Sequence, residues 1–191
     1  MKLLEDKIIK EGKVYPGDIL KIDSFLNHQI DSLLMDEIGK EFYRLFNDLK
    51  PTKILTIESS GIAIALATAR YFDNCPIIFA KKTNSSNIFD TYIAKEKSYT
   101  RGNEYTIRVS KEYLNESDNI LIIDDFLANG EAMNSLIDIC HQANAKILAA
   151  GTVVCKTYQP GLERIKKLGI RIGCLAKIKS LENNQIIFEQ K

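Results

Sequence analysis

The stretch Ile120-Leu121-Ile122-Ile123-Asp124-Asp125-Phe126-Leu127-Ala128-Asn129-Gly130-Glu131-Ala132-Met133-Asn134-Ser135-Leu136 decides the fold of this 191-residue chain. Its opening apolar run is too short and too uniform for a surface helix and reads as a buried parallel strand. Two neighbouring aspartates at the end of such a strand are expensive to bury unless something binds them. A short loop with Gly130 follows, and then a helical pattern begins. A helix start presents unpaired backbone N–H groups and the positive end of the helix dipole, which suit a phosphate. One segment therefore offers acceptors for sugar hydroxyls and then donors for a phosphate, as a bound ribose 5-phosphate needs. The plainer alternative is a strand–turn–helix unit whose aspartates only cap the turn.

Working outward, the same alternation repeats. Lys53 to Glu58 reads as a strand, Glu58-Ser59-Ser60-Gly61 as a turn, and Ile62 to Phe72 as a helix. Cys75 to Ala80 is a second buried strand ending in Lys81-Lys82. Lys146 to Cys155 is a third, with Lys156 at its carboxyl end. Strands alternating with helices imply an α/β fold, a central parallel sheet with helices on both faces. Ligands of such sheets bind beyond the carboxyl ends of the strands, so the turns after residues 58, 80 and 125 are expected to converge.

Elsewhere, Lys2 to Glu11 reads as a short amphipathic helix capped by Gly12, Tyr15-Pro16-Gly17 as a turn, and Asp18 to Asp23 as a strand. Ser24 to Gln29 reads as an irregular link. Asp31 to Asn47 is a helix, with Leu34, Ile38, Phe42 and Leu45 on one face. Residues 83–103 are polar, a length of irregular chain that a compact domain keeps as a lid. Glu104 to Ser110 returns as a strand. Pro160 and Gly161 start a helix through Leu168, Gly169 stops it, and Ile172 to Ile178 and Gln185 to Phe188 read as a closing hairpin.

With 26 Lys+Arg against 25 Asp+Glu the net charge is +1, which provides no bulk field for nucleic acid or a membrane surface. At 45% hydrophobic the chain can fill an ordinary core. No apolar run approaches the roughly 20 residues of a membrane span. The charged start, Met1 to Lys7, is unlike a secretory signal. Cys75, Cys140, Cys155 and Cys174 are scattered with no C-x-x-C spacing, so they read as reduced, mostly buried thiols rather than a metal site, in a cytoplasmic protein.

The segment 120–136 resembles the signature of the type I phosphoribosyltransferases: hydrophobic strand, acidic pair, small loop, helix. The form Ala-Asn-Gly-Glu-Ala is similar to the xanthine-specific branch of that family. The resemblance implies a fold with a small hood, built from residues 1–30 and 157–191 on a single 1–191 domain, and a flexible hairpin at about 83–104. It implies a purine salvage reaction in which the 5-phosphoribosyl group of 5-phospho-α-D-ribosyl 1-diphosphate (PRPP) passes to xanthine. PRPP would lie on Asp124, Asp125, Ala128, Asn129, Gly130, Glu131 and Ala132. Ser59, Ser60, Gly61, Lys81 and Lys82 would hold the diphosphate. Leu20, Asn27 and Lys156 would meet the base. Mg²⁺ would come with PRPP, without metal-ligating side chains of the protein. The partners implied are PRPP, a 6-oxopurine and a second copy in a homodimer, with no nucleic acid and no membrane.

The chain departs from the family pattern in four places. Asn27 stands where Thr is expected, which changes the donor pattern offered to the base. Asn129 stands where Thr is common, although its amide can still donate to phosphate. Glu131 stands where a small residue is common, so its carboxylate is expected to turn away from the phosphate. Ala128 stands where hypoxanthine-guanine enzymes carry an Asp that takes the base proton. Ala128 has no such function, which favours an acidic base such as xanthine, able to arrive as its anion. Two other readings remain open at this point: a PRPP-sensing regulator that binds nucleic acid on the same fold, or an enzyme for guanine, hypoxanthine or adenine. A regulator would need a basic face, and Lys156 as a donor disfavours the adenine amino group.

Overall fold

The computed structural model describes residues 1–82, 90–97, 104–182 and 185–190. Its centre is a sheet in the order β10-β9-β8-β7-β3-β4-β6-β5, with β3 Lys53–Ile57, β4 Ile77–Lys82, β5 Thr91–Lys97, β6 Glu104–Ser110, β7 Asn119–Leu127, β8 Lys146–Lys156, β9 Ile172–Ser180 and β10 Ile187–Phe188. The strands β9, β8, β7, β3 and β4 run parallel, as the alternation of strands and helices predicts. The sheet is mixed, however: β10 joins one edge antiparallel, and β6 and β5 form an antiparallel pair at the other. The early residues Lys13–Tyr15 (β1) and Ile19–Lys21 (β2) form a separate two-stranded ribbon.

Two apolar clusters cover the two faces. On one face pack α1 (Lys2–Glu11), α2 (Ser32–Phe46) and α3 (Ser60–Ala69), bringing Leu4, Ile8, Phe42 and Ile64 against Leu121, Ile123 and Val153. On the other pack α4 (Glu131–Gln142) and α5 (Gly161–Lys167), bringing Met133, Leu136 and Ile165 against Ile120, Ile122 and Leu55. Successive residues of β7 thus feed opposite cores, which explains why its opening is apolar without alternation. The long helix α2 is capped by Asp31, whose carboxylate accepts from the Leu33 and Leu34 amides at 3.1 Å and pairs with Lys7 at 2.6 Å. The link expected to be irregular at Ser24 to Gln29 is partly regular: Asp23–Asn27 forms a π-helical turn that buries Phe25 and Leu26.

Two of the differences from the sequence reading bear on the site edge. β7 does not stop at the acidic pair; it keeps its register with β8 through Asp124↔Thr152 to Leu127↔Cys155. The polar stretch expected as a lid contains a strand: Thr91–Lys97 pairs along β6, with Ala94 buried and Ile93 exposed. Its charged residues suit an edge strand, where one side of the ladder stays open. Residues 83–89 and 98–103, and with them Ser98 to Gly102, lie outside the described residues.

Candidate active site

The carboxyl ends of β3, β4 and β7 lie side by side in the sheet, so the turns that follow them share one edge. The turns after β3 and β4 are also tied directly: the Lys82 amide donates to Glu58 Oε1 at 2.6 Å. Next to them, Asp124 is 2% exposed and Asp125 half-buried. The Asp125 amide donates to Asp124 Oδ1 at 2.9 Å, and the Phe126 amide to Asp125 Oδ1 at 2.7 Å. Burial, then the adjacent Asp125 charge, pushes the Asp124 carboxyl well above the usual carboxylate range; the Lys82 charge pulls the other way.

The early chain reaches this edge at Asn27. Asn27 Nδ2 donates to Asp125 Oδ2 at 2.6 Å and lies 3.4 Å from Ser60 Oγ. Its Oδ1 is buried and has no hydrogen-bond partner among the described residues. Residues from the π-helical turn, the start of α3 and β7 therefore meet at one point. Ser59 is the exposed N-cap of α3, while Gly61 fits against β3 so closely that a Cβ there would lie 2.0 Å from Thr56 Oγ1.

The loop 128–132 closes the corner from β7 into α4. Gly130 holds φ at 89°, a left-handed conformation that other residues rarely adopt, and the helix starts at Glu131. The first amides of that helix have no partners inside it. Behind the loop stands α5: the Gly161 amide donates to the Ala128 carbonyl at 3.0 Å. Arg164 Nη1 donates to the Asn129 carbonyl at 3.1 Å and to Glu131 Oε1 at 3.0 Å. The Glu131 carboxylate is thus engaged by a cation of α5.

The remaining predicted residues are placed as follows. Lys156 ends β8, is 9% exposed, and donates through Nζ to the Asp18 carbonyl; burial lowers its pKa from the ordinary lysine value. Leu20 is 8% exposed and belongs to the apolar core, so its side chain is committed to packing and only its backbone is left for a ligand. Lys81 is not brought to the acidic pair. Its amine lies 5.8 Å from the Phe79 ring centroid and lines a groove of about 610 Å³ with Pro76, Ile77, Arg108 and Tyr113. Strand alternation sends Lys81 and Lys82 to opposite sides, and it is Lys82 whose charge acts on Asp124.

Residues 27–171 match the family described as the phosphoribosyl transferase domain. The chain belongs to that family. Among curated relatives, the xanthine phosphoribosyltransferase of Ruminiclostridium cellulolyticum is 51% identical over 191 residues, covering 100% of both chains. The xanthine phosphoribosyltransferase 2 of Clostridium botulinum is 50% identical over 190 residues, 99% of this chain and 100% of that protein. Of solved structures, the Giardia lamblia adenine phosphoribosyltransferase in complex with 9-deazaadenine superposes with a TM-score of 0.78 at 20% identity, covering 93% of this chain and 98% of that one. The Rhodothermus marinus adenine phosphoribosyltransferase gives 0.75 at 17% identity, with 93% and 100% covered. At that identity the adenine enzymes speak for the phosphoribosyltransferase fold alone.

Sequence reasoning did not single out the residues that support these turns from behind. Glu58 and Thr56 read as the end of a strand and Gly161 as a helix start, and Arg164 lies inside that helix without being singled out. Only the Pro160-Gly161 pair carried a local signal, and it pointed to the helix rather than to the loop that Gly161 touches. Among the described residues there is no cluster of three or more His, Cys, Asp or Glu placed to hold a metal ion, and no helix long and apolar enough to cross a membrane.

Proposed function

We infer that this enzyme is a xanthine phosphoribosyltransferase of purine salvage, making xanthosine 5′-monophosphate and diphosphate from PRPP and xanthine. The observation that carries the substrate is full-length identity of about half to proteins of that name. In the reaction the C1′–O bond to diphosphate breaks and a bond from C1′ to a purine nitrogen forms, with inversion. The nitrogen's proton leaves to solvent, or is already absent in the xanthine anion. The transition state is oxocarbenium-like, so the protein's work is positioning and the stabilisation of changing charge.

Asp124 and Asp125 supply acceptors for the ribose hydroxyls, and the amides of 128–132 hold the 5-phosphate at the start of α4. Asn27, now bonded to Asp125, links the base side of the site to the ribose side. Ser59, Ser60, Gly61 and Lys82 receive the diphosphate, whereas Lys81 reaches it only if its side chain leaves Phe79. The N-terminal ribbon and the π-helical turn form the hood over the base. Mg²⁺ fits as an ion brought by PRPP, because the acidic pair offers a few oxygens and no cage, and Mg²⁺ keeps several waters. When bound, it neutralises diphosphate charge.

Lys156 is the donor to a base oxygen. Its present acceptor is a main-chain carbonyl, which a purine carbonyl can replace. Lys156→Ala is expected to raise the xanthine KM by about tenfold or more, the worth of a hydrogen bond from a charged group, with the PRPP KM changed far less. Equal rises in both would make this lysine structural. A panel of bases with PRPP and Mg²⁺, read by diphosphate release, tests the whole reading. Xanthine is expected to be the best substrate at neutral pH, and equal turnover of hypoxanthine would defeat the argument from Ala128.

A further inference from the structure

We propose that Arg164 is a positioning residue of the phosphate loop: it holds the Asn129 carbonyl and neutralises Glu131, so that residues 128–132 stay shaped and charged to receive the 5-phosphate of PRPP. The proposal rests on the reading of that loop given above.

Glu131 is the first residue of α4. A carboxylate there is drawn to the positive end of the helix, the same place a phosphate would occupy. Left alone, it would compete with the phosphate and repel it. Arg164 removes that conflict, because its Nη1 lies 3.0 Å from Glu131 Oε1 and 3.1 Å from the Asn129 carbonyl oxygen. One guanidinium nitrogen serves both acceptors, so the direction of the side chain at 131 and the orientation of the peptide after Asn129 are set together. The base of the arm is fixed as well, since α5 touches the loop at Gly161, whose amide donates to the Ala128 carbonyl at 3.0 Å. The side chains of Arg164 and Glu131 are 48% and 31% exposed. An ion pair this open adds little to global stability. Its consequence is local, at the loop.

The test is a set of variants assayed with each substrate varied in turn. Arg164→Ala is expected to raise the PRPP KM about fivefold, the scale of one lost charge-assisted contact, while kcat and the xanthine KM stay within about twofold. Arg164→Lys keeps the charge without the fork and is expected to recover part of the loss. Adding Glu131→Gln to Arg164→Ala removes the stranded carboxylate and is expected to lower the PRPP KM again by about threefold. An unchanged PRPP KM in Arg164→Ala overturns the proposal. So does a double variant as poor as Arg164→Ala, or a parallel rise of both KM values with a fallen Tm, which would signal general loosening. Calorimetry separates this from the underlying reading. Wild-type protein that takes up no PRPP overturns both, whereas wild type and Arg164→Ala binding PRPP equally overturn only the role of Arg164.

Discussion

Asp124→Asn should make the ligand-free protein more stable at pH 8 and at the same time a poorer user of PRPP. Asp124 is 2% exposed, its pKa is raised by burial and by the Asp125 charge, and its Oδ1 already accepts a bond from the Asp125 amide that an Asn oxygen can keep. A buried carboxylate beside another is a standing penalty. Because the folded-state pKa lies above the unfolded value, the native state binds more protons between the two. Stability from this group therefore falls as pH rises from about the ordinary Asp value through the raised one, and then levels off. The variant has no such loss. Its advantage should be near zero at about pH 4, the ordinary Asp value, and grow as pH rises through the raised pKa, read as a higher Tm than wild type at pH 8. PRPP use should fall by about tenfold, since a neutral amide replaces a charged acceptor at the sugar. A Tm measured without ligand at both pH values decides it. A variant less stable than wild type at pH 8 would show that the acidic pair is there for the fold.

The second large effect is expected at a residue with no chemistry of its own. In Gly161→Ala the new Cβ would lie 2.4 Å from the Ala128 carbonyl oxygen, 2.9 Å from the Gly130 nitrogen and 3.0 Å from the Asn129 carbonyl carbon. These are backbone atoms, so no side chain can swing aside. Gly130 cannot yield easily either, because its φ of 89° fixes the turn and it packs against Gly161. The loop must move as a piece, and phosphate hydrogen bonds that depend on aligned amides move with it. The PRPP KM should rise about tenfold or more, with about 1–3 kcal/mol of stability lost to the overpacked contact. Steady-state kinetics with PRPP varied, together with a melting curve, measure both. A normal PRPP KM would mean that the loop is not held from behind by α5.

These two residues mark the limit of what the sequence reveals. Asp124 and Asp125 stand out because their environment is local: an apolar strand before them and a Gly-bearing helix start after them leave a mark within a few residues. The same holds for β3, β4, β7 and β8, and for α2, whose apolar positions repeat at helical spacing. Gly161 and Arg164 act on a loop more than thirty residues away, as the Arg164–Glu131 separation of 33 attests, and such contacts impose no period on the chain. The resemblance brings Asn27 forward as a base contact, but nothing in the sequence signals its bond to Asp125, 98 residues on. Leu20 reads as a base contact by position, yet its side chain is buried in the core. The strand at Thr91–Lys97 was hidden because an edge strand is only half covered and keeps its charges.

The central claim is that the acidic pair and the loop after it bind one molecule of PRPP. Titration calorimetry of PRPP with Mg²⁺ into wild type and Asp125→Asn, without base, tests it most directly. The expected result is one site per chain in wild type and an affinity about tenfold weaker in the variant, the worth of a hydrogen bond to a charged acceptor. No heat in wild type, or the same affinity in both proteins, would contradict it.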